Sequence, residues 1–269
     1  MISESNRVHL VDKRCDADIA NAQYANHLFV RFVAKDKRFT KVDFKYTIFD
    51  ACYLRNCIFD SCDFTGARFV ATNLYGSTFS GCKFDYATFE KTTVDSGILD
   101  TECPGHENLK MRFARSLRMN CQQLGDAAGA NKAMNVELQA TEVHLHKAWH
   151  SNEAYYRKKY AGLQRLRCFM EWLQFKVLDF VWGNGESAWK LLRASAIVLL
   201  GVAAIDVAVF RPSPTFHDCA RTVIESPQVF LGTLVPARYP HSYLTLILCV
   251  RLIAFGFFMS IIIKRLNRR

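Results

Sequence analysis

Four sets of side chains in this 269-residue chain have the type and spacing to do chemistry. Cys52, Cys57 and Cys62 recur every five residues. Thiolates are zinc ligands, but a finger uses shorter cysteine spacing together with nearby histidines. The two readings are small buried side chains kept reduced in a cytosol and, less simply, a Cys-x4-Cys-x4-Cys site. His144, His146 and His150 form the second set. Only His146 and His150 share the i, i+4 face, and no glutamate motif accompanies them, so an ordinary polar helix face is expected and no metal. The third set is Arg193, Asp206 and Arg251, charges set inside apolar stretches. Charges at such depth pair or face water. Asp206 and Arg251 could bridge two neighbouring spans, or stand in a charged ring that sets ion preference. The fourth set, Glu225, Phe230, Gly232 and Thr233, lies between those stretches, where a pore loop would lie. No P-loop, Gly-x-Ser-x-Gly, zinc-protease helix or dinucleotide fingerprint is present. The reading is a protein that is not an enzyme and holds no cofactor.

The first set is positioned by a repeat. A large apolar residue returns every fifth position: Phe39, Phe44, Phe49, Leu54, Phe59, Phe64, Phe69, Leu74, Phe79, Phe84, Phe89, Val94 and Leu99. A helix repeats near 3.6 and a strand at 2, so a period of five implies a solenoid. The residue two before each is small or modest, as in Cys52, Cys57, Cys62, Ala67, Thr72 and Cys82; only Lys37 breaks the rule. The pattern resembles the pentapeptide-repeat family, A-(D/N)-L-x-x in its commonest form, over residues 37–101. The resemblance implies a right-handed quadrilateral β-helix with one pentapeptide per face and about twenty residues per coil. Residues twenty apart would then stack, Phe39 on Phe59 on Phe79 on Leu99 and Phe44 on Phe64 on Phe84, each coil burying its core against the next. Phe69 and Phe89 complete the expected core.

Some members of that family resemble a DNA rod and bind topoisomerases, which needs an acidic surface. Here residues 37–101 carry eight basic and eight acidic side chains, so mimicry and nucleic-acid binding are discounted. The net charge of +10 lies wholly in residues 102–269, which also hold the long apolar runs. Basicity beside apolar runs reads as membrane-proximal charge. The N-terminal MISESNRVHL has no apolar core and reads as no signal peptide.

After Pro104-Gly105 the period becomes helical. Leu109, Phe113, Leu117 and Cys121 fall on one stripe, Leu124-Gly125-Asp126 reads as a turn, and Met134, Leu138 and Val143 continue on a second helix. This is an αα-hairpin. A third helical run over 154–182 is basic early and aromatic late, which suits a membrane surface or a partner subunit. Residues 191–210 and 243–263 are each long enough to cross a hydrocarbon core of about 30 Å. Trp182 and Trp189 precede the first, and a basic run over 264–269 follows the second, placing both termini in the cytoplasm by the charge rule. The intervening residues 211–242 read as a half-helix and a re-entrant strand. This layout resembles the pore domain of two-transmembrane, potassium-channel-like proteins that are joined to pentapeptide repeats in bacteria. Gly183-Asn184-Gly185-Glu186 stands where that class carries a GlyTyrGlyGlu-like turn. A potassium filter presents Thr-x-Gly-Tyr/Phe-Gly, whose carbonyls replace the ion's water shell. Here the region is GTLVP, residues 232–236, without the double glycine.

The expected organisation is therefore an N-terminal cap (1–36), a β-solenoid (37–101), a helical connector with an amphipathic membrane-proximal helix (106–186) and a two-transmembrane pore-like module (187–269). The expected role is an oligomeric ion-permeable or membrane-permeabilising protein of the bacterial inner membrane, a tetramer by the resemblance, serving stress or anti-phage defence. Its solenoid would sense a signal, direct assembly or bind a protein partner, and its hairpin would contact lipid. The other reading is a membrane-tethered scaffold without conduction.

Overall fold

Every fifth residue turns the chain through a corner. Tyr46, Asn56, Ser61 and Gly66 each follow an inward-facing residue by two positions, and each has a left-handed φ of 54° to 70°. Such corners disfavour side chains, but their N–H groups are held by the next coil: Tyr46 donates to Thr65 O at 2.9 Å and Asn56 to Tyr75 O at 3.0 Å. At Gly66 a Cβ would meet the Tyr46 ring, which lies over it.

The computed structural model describes residues 7–185, 187–211 and 215–266, with side chains to residue 263. The chain divides into two units, Met1–Cys168 and Phe169–Arg269. In the first, twelve strands among the described residues form parallel ladders. One ladder runs β1 (Val8–Val11), β4 (His27–Val30), β7 (Ile48–Asp50), β10 (Arg68–Val70), β12 (Thr88–Glu90). A second joins β3 (Ile19–Ala20), β6 (Arg38–Thr40), β9 (Ile58–Asp60) and β11 (Thr78–Ser80), and a third β2 (Arg14–Cys15), β5 (Val33–Lys35) and β8 (Tyr53–Arg55). Single bridges Gln23–Asp43–Asp63–Lys83 make the fourth face. The result is the expected parallel-sheet solenoid, of about four turns.

The phenylalanines stack as the repeat predicts. Phe39–Phe59 and Phe59–Phe79 lie 4.9 and 5.1 Å apart, and Phe44–Phe64 and Phe64–Phe84 both 5.1 Å. A third column, Phe29–Phe49–Phe69–Phe89, has spacings of 5.2, 4.9 and 4.9 Å.

The solenoid begins earlier than residue 37, and the described part of 1–36 belongs to its ladders instead of forming a cap. Two substitutions of pattern hid this. Phe32 and Ala34 exchange the large and small positions of their unit, and both are buried. Between Cys15 and Ile19 the spacing is four, so Leu10 pairs with Phe29 nineteen residues on, while Ile19 pairs with Phe39 twenty on.

The far end closes on helices. Leu99, the last of the periodic residues, lies in the short α1 (Ile98–Thr101), not in a strand. Then α2 (Glu107–Leu124) seals the last coil with polar side chains on one face. Ser116 Oγ accepts from Phe89 N at 2.8 Å, Gln123 Oε1 from Lys91 N at 3.1 Å, and Asn120 both accepts from Thr92 N and donates to Thr92 O at 2.7 Å. Helical spacing thus supplies the hydrogen bonds of an absent strand. Gly125 ends α2 in a left-handed turn, and Asp126 caps α3 (Ala127–His150) by accepting from Gly129 N. The buried face of α3 is Ala130, Ala133, Glu137, Ala140 and Ala148, in place of the expected Met134, Leu138 and Val143. Small residues let the two helices close on Glu137, which takes Arg115 and Arg118 at 2.8 Å each. The third helical run breaks at Tyr160–Gly162 into α4 (Ala154–Lys159) and α5 (Leu163–Trp182).

In the second unit, α6 (Ala188–Val209), α7 (Phe216–Leu231) and α8 (His241–Leu266) follow in order. Ser187 caps α6 through Lys190 N. The helices Ala188–Val209 and His241–Ile263 are long and apolar enough to cross a membrane. Only 17% and 11% of their apolar windows are buried, unlike the core helices of a soluble domain. Glu186 and the basic tail over 267–269 lie outside the described residues, as do the side chains of 264–266.

Candidate functional site

The chemistry-bearing residues of the second unit gather around α7. This helix starts with a capping box: Asp218 N donates to the Thr215 hydroxyl at 3.2 Å, and Thr215 N donates to the Asp218 carboxylate at 3.1 Å. Those bonds from Thr215 hold the Asp218 carboxyl below the usual carboxylate range. The helix then runs through Pro227, which cannot donate to Val223 O. The Ser226 hydroxyl donates to that carbonyl instead, at 2.9 Å. Gly232 ends the helix at φ +80°, with Gly232 N bonded to Val229 O and Thr233 N to Gln228 O, the Schellman pattern. The expected re-entrant strand is absent from residues 229–236. Val229 to Leu231 complete the helix, and residues 232–240 follow as turns and irregular chain.

A four-charge network holds the start of α7. Asp206, fully buried, accepts from Arg238 Nε and Nη2 at 2.7 and 2.8 Å and from Arg211 Nε at 3.0 Å. Thr222 Oγ1 lies 3.1 Å from the same carboxylate. Arg211 also reaches Asp218, at 2.9 Å. The hydrogen bonds that Arg238 donates to the Asp206 carboxylate raise the guanidinium above its ordinary range. Two carboxylates and two guanidiniums thereby tie the end of α6, the start of α7 and the loop before α8. Burial is tolerable because each charge is paired and hydrogen-bonded.

The expected Asp206–Arg251 bridge is therefore not formed. Arg251 instead donates through Nη1 to Leu231 O, at the carbonyl end of α7, where a cation suits the helix dipole. The left-handed φ of +80° favours glycine there, and a Cβ would displace the Arg251 guanidinium from the carbonyl it caps. A cavity of about 290 Å³ opens beside Arg251, with Gly232, His241, Thr245 and Leu248 in its wall. Arg193 plays a similar capping part for α5, donating to Phe180 O at 2.7 Å with its guanidinium 4.5 Å over the Phe180 ring. Of the loop residues, Glu225 pairs with Arg221 at 2.6 Å one turn earlier, Phe230 packs against the apolar cluster of Val202, Val229, Tyr239 and Ile247, and the Thr233 hydroxyl donates to Gln228 O at 3.1 Å. The structure brings Gly232 to Arg251 and leaves Glu225 with a local partner. Sequence reading missed Arg211, Thr222, Asp218 and Arg238 as a group. The available signal was that Arg211 and Arg238 lie on the loop side of the two apolar runs.

In the first unit the thiols are structural. Cys52, Cys57, Cys62 and Cys82 each point at the backbone carbonyl twenty-three residues earlier, at 3.4 to 3.5 Å. Thr72 and Ser77 do the same at 3.1 and 2.6 Å. Burial pushes the Cys52 thiol up to about 11, away from the thiolate that metal or oxidant needs. Twenty residues beyond Cys82, where a further coil would place its small polar residue, the buried Glu102 carboxylate accepts from Cys82 N at 2.6 Å. His144 lies between two phenols, Tyr156 and Tyr160, each at 3.3 Å from one ring nitrogen, while His146 and His150 pack on each other at 5.2 Å.

Comparison with curated proteins finds no match. Among solved structures, two trypsin-treated forms of QnrB1, a plasmid-mediated fluoroquinolone resistance protein, are similar at 18% and 14% identity. Each alignment covers 33% of this chain, with 54% of the first structure and 73% of the second, at a TM-score of 0.12 for both. The chain thus spans about half the length of the first. At these scores the likeness assigns this chain no activity or partner. Residues 34–99 match the family described as a pentapeptide repeat region. Together with the four-sided ladders and stacked phenylalanine columns, the match makes the solenoid of this chain a pentapeptide-repeat domain.

Proposed function

We propose that this is a non-enzymatic membrane protein in which the solenoid senses or assembles, and the α6–α7–α8 hairpin forms an ion-permeable pore when several copies, four by the channel-like layout, come together. The observation that carries the reading is the return helix α7, pinned at its start by the Asp206 network and at its end by Arg251. An anchor needs two spans and nothing between them; a short helix locked between the spans is what lines a shared axis in two-span pores. The exposed apolar residues of α7, including Phe216, Ile224 and Leu231, support the same reading, because one copy alone does not cover them. GTLVP in place of a double-glycine filter argues for weak selectivity and against a potassium-specific path. We place the protein in a bacterial inner membrane with both termini cytoplasmic, an architecture that suits a stress or anti-phage permeability effector.

The test is size in detergent followed by flux in liposomes. A multi-copy particle that discharges an ion gradient supports the pore. A single-copy particle, or an oligomer that leaves the gradient intact, makes the hairpin an anchor and the protein a membrane-tethered scaffold.

A further inference from the structure

Where α2 crosses the last coils, a cavity of about 610 Å³ opens between the helix and the β10–β12 face. That is within the range of small-molecule pockets, roughly 300–1,000 Å³. Its charge is mainly basic, three arginines against one glutamate. Arg68 comes from β10, and Arg112 and Arg115 come from one face of α2. Among the described residues, the side chains of Arg68 and Arg112 have no ion pair or hydrogen bond. Arg115 spends its Nε on Glu137 at 2.8 Å, which fixes the guanidinium and leaves its terminal nitrogens free to donate. Glu90 is the acidic residue of the wall. Beside the apolar Phe69, Val70 and Phe89, the wall carries Tyr86, 57% exposed, and Met119, 52% exposed, large side chains that the fold leaves uncovered.

We propose that this cavity binds a phosphorylated small molecule carrying a planar ring, of nucleotide type. Three guanidiniums suit phosphate oxygens, which they take in paired hydrogen bonds. A phenol ring offers a stacking face to a base, and the polarisable thioether of Met119 suits a ring edge. Glu90, which would repel a plain anion, accepts from the hydroxyl or amino groups of a sugar or base. The combination fits a nucleotide better than inorganic phosphate. The ligand would touch the coil and α2 at once, so its binding would report on the seal between them. This gives the sensing role of the solenoid a ligand class and rests on that reading only for its consequence; binding itself does not depend on whether the hairpin conducts.

The experiment is calorimetry on the full chain in lipid nanodiscs, with ATP, adenosine and inorganic phosphate as probes. The expected result is saturable ATP binding at one site per chain, weakened as salt is raised, with adenosine and phosphate each at least tenfold weaker. Arg68→Gln with Arg112→Gln should weaken ATP at least tenfold while the melting temperature stays put. Tyr86→Asn, chosen because asparagine tolerates the left-handed φ of 60° at that corner, should bring ATP towards the affinity of phosphate. No ATP binding, equal affinity for ATP and phosphate, or an unaltered affinity in the double arginine variant overturns the proposal. Liposome flux is measured separately, so a failed ligand and a failed pore give different results.

Discussion

Phe64 shows how much one side chain of the solenoid carries. It is fully buried, with Phe44 below and Phe84 above at 5.1 Å each. Phe64→Asp puts an unpaired charge in that dry column, at a cost of several kcal/mol. The solenoid should lose its cooperative melt; a transition at the wild-type temperature would refute the column. Asp206 is the corresponding residue of the hairpin. Asp206→Asn leaves Arg211 and Arg238 facing a neutral amide; because Arg238 is 37% exposed and Arg211 keeps Asp218, the cost should be about 1–3 kcal/mol, short of that for a fully buried pair. Combining it with Arg238→Gln should cost less than the two single changes added together. By contrast, exchanging the charges of Asp206 and Arg251 should restore nothing, because Arg251 is bonded to Leu231 O and not to Asp206. A swap that rescues assembly in detergent would return the direct bridge.

Individual elements show what was legible in the sequence and what was not. The phenylalanine period is visible because every inward position is filled by the same kind of residue. The first coil was hidden by a one-residue slip after Cys15 and by the exchanged sizes of Phe32 and Ala34, which keep the volume and lose the pattern. The helical seal on the last coil has a weaker signal: Ser116, Asn120 and Gln123 share a face of α2, but polar residues on a helix are ordinarily read as solvated. Asn120→Ala should cost about 2–4 kcal/mol, since Thr92 N–H and C=O both lose their partner. Gln123→Ala, at an exposed site, should cost well under that. Equal losses in thermal denaturation would show that the seal is not read side chain by side chain. In the connector, burial and the charge of Lys159 depress His144 below its ordinary value of 6.5. A depressed value means the unfolded chain takes the proton first. The contribution is therefore fully present above pH 6.5 and is lost as pH falls from there through the lower value of the folded state. The unfolding midpoint of the connector should drop between pH 7 and 5, and His144→Gln should flatten that part of the profile. A variant as acid-sensitive as the wild type would put the proton elsewhere.

For the molecule as a whole, the two membrane-length helices were plain from composition, and the structure keeps their apolar faces outward. Which charges meet inside the hairpin was not plain. Arg211 and Arg238 are separated by 27 positions, and only the return of α7 brings both to Asp206. The proposed topology predicts that reporter fusions at residue 1 and after residue 269 both read out in the cytoplasm. Arg211, Arg221 and Arg238 lie in the loop between the spans and oppose the charge rule, so this measurement bears directly on the hairpin. Opposite results at the two ends would leave one crossing and remove the pore.

The two fastenings of α7 differ electrically. Asp206, Asp218, Arg211 and Arg238 sum to zero, so a voltage across the bilayer does almost no net work on them as a group. Arg251 holds the other end of the helix with a single positive charge and a carbonyl partner. Carrying one elementary charge across the full field is worth about 2.3 kcal/mol per 100 mV. If the hairpin spans a polarised membrane as proposed, the field bears unequally on these two fastenings: it does almost no net work on the Asp206 group as a whole and acts on the lone charge of Arg251, which α8 carries against the C-terminal end of α7.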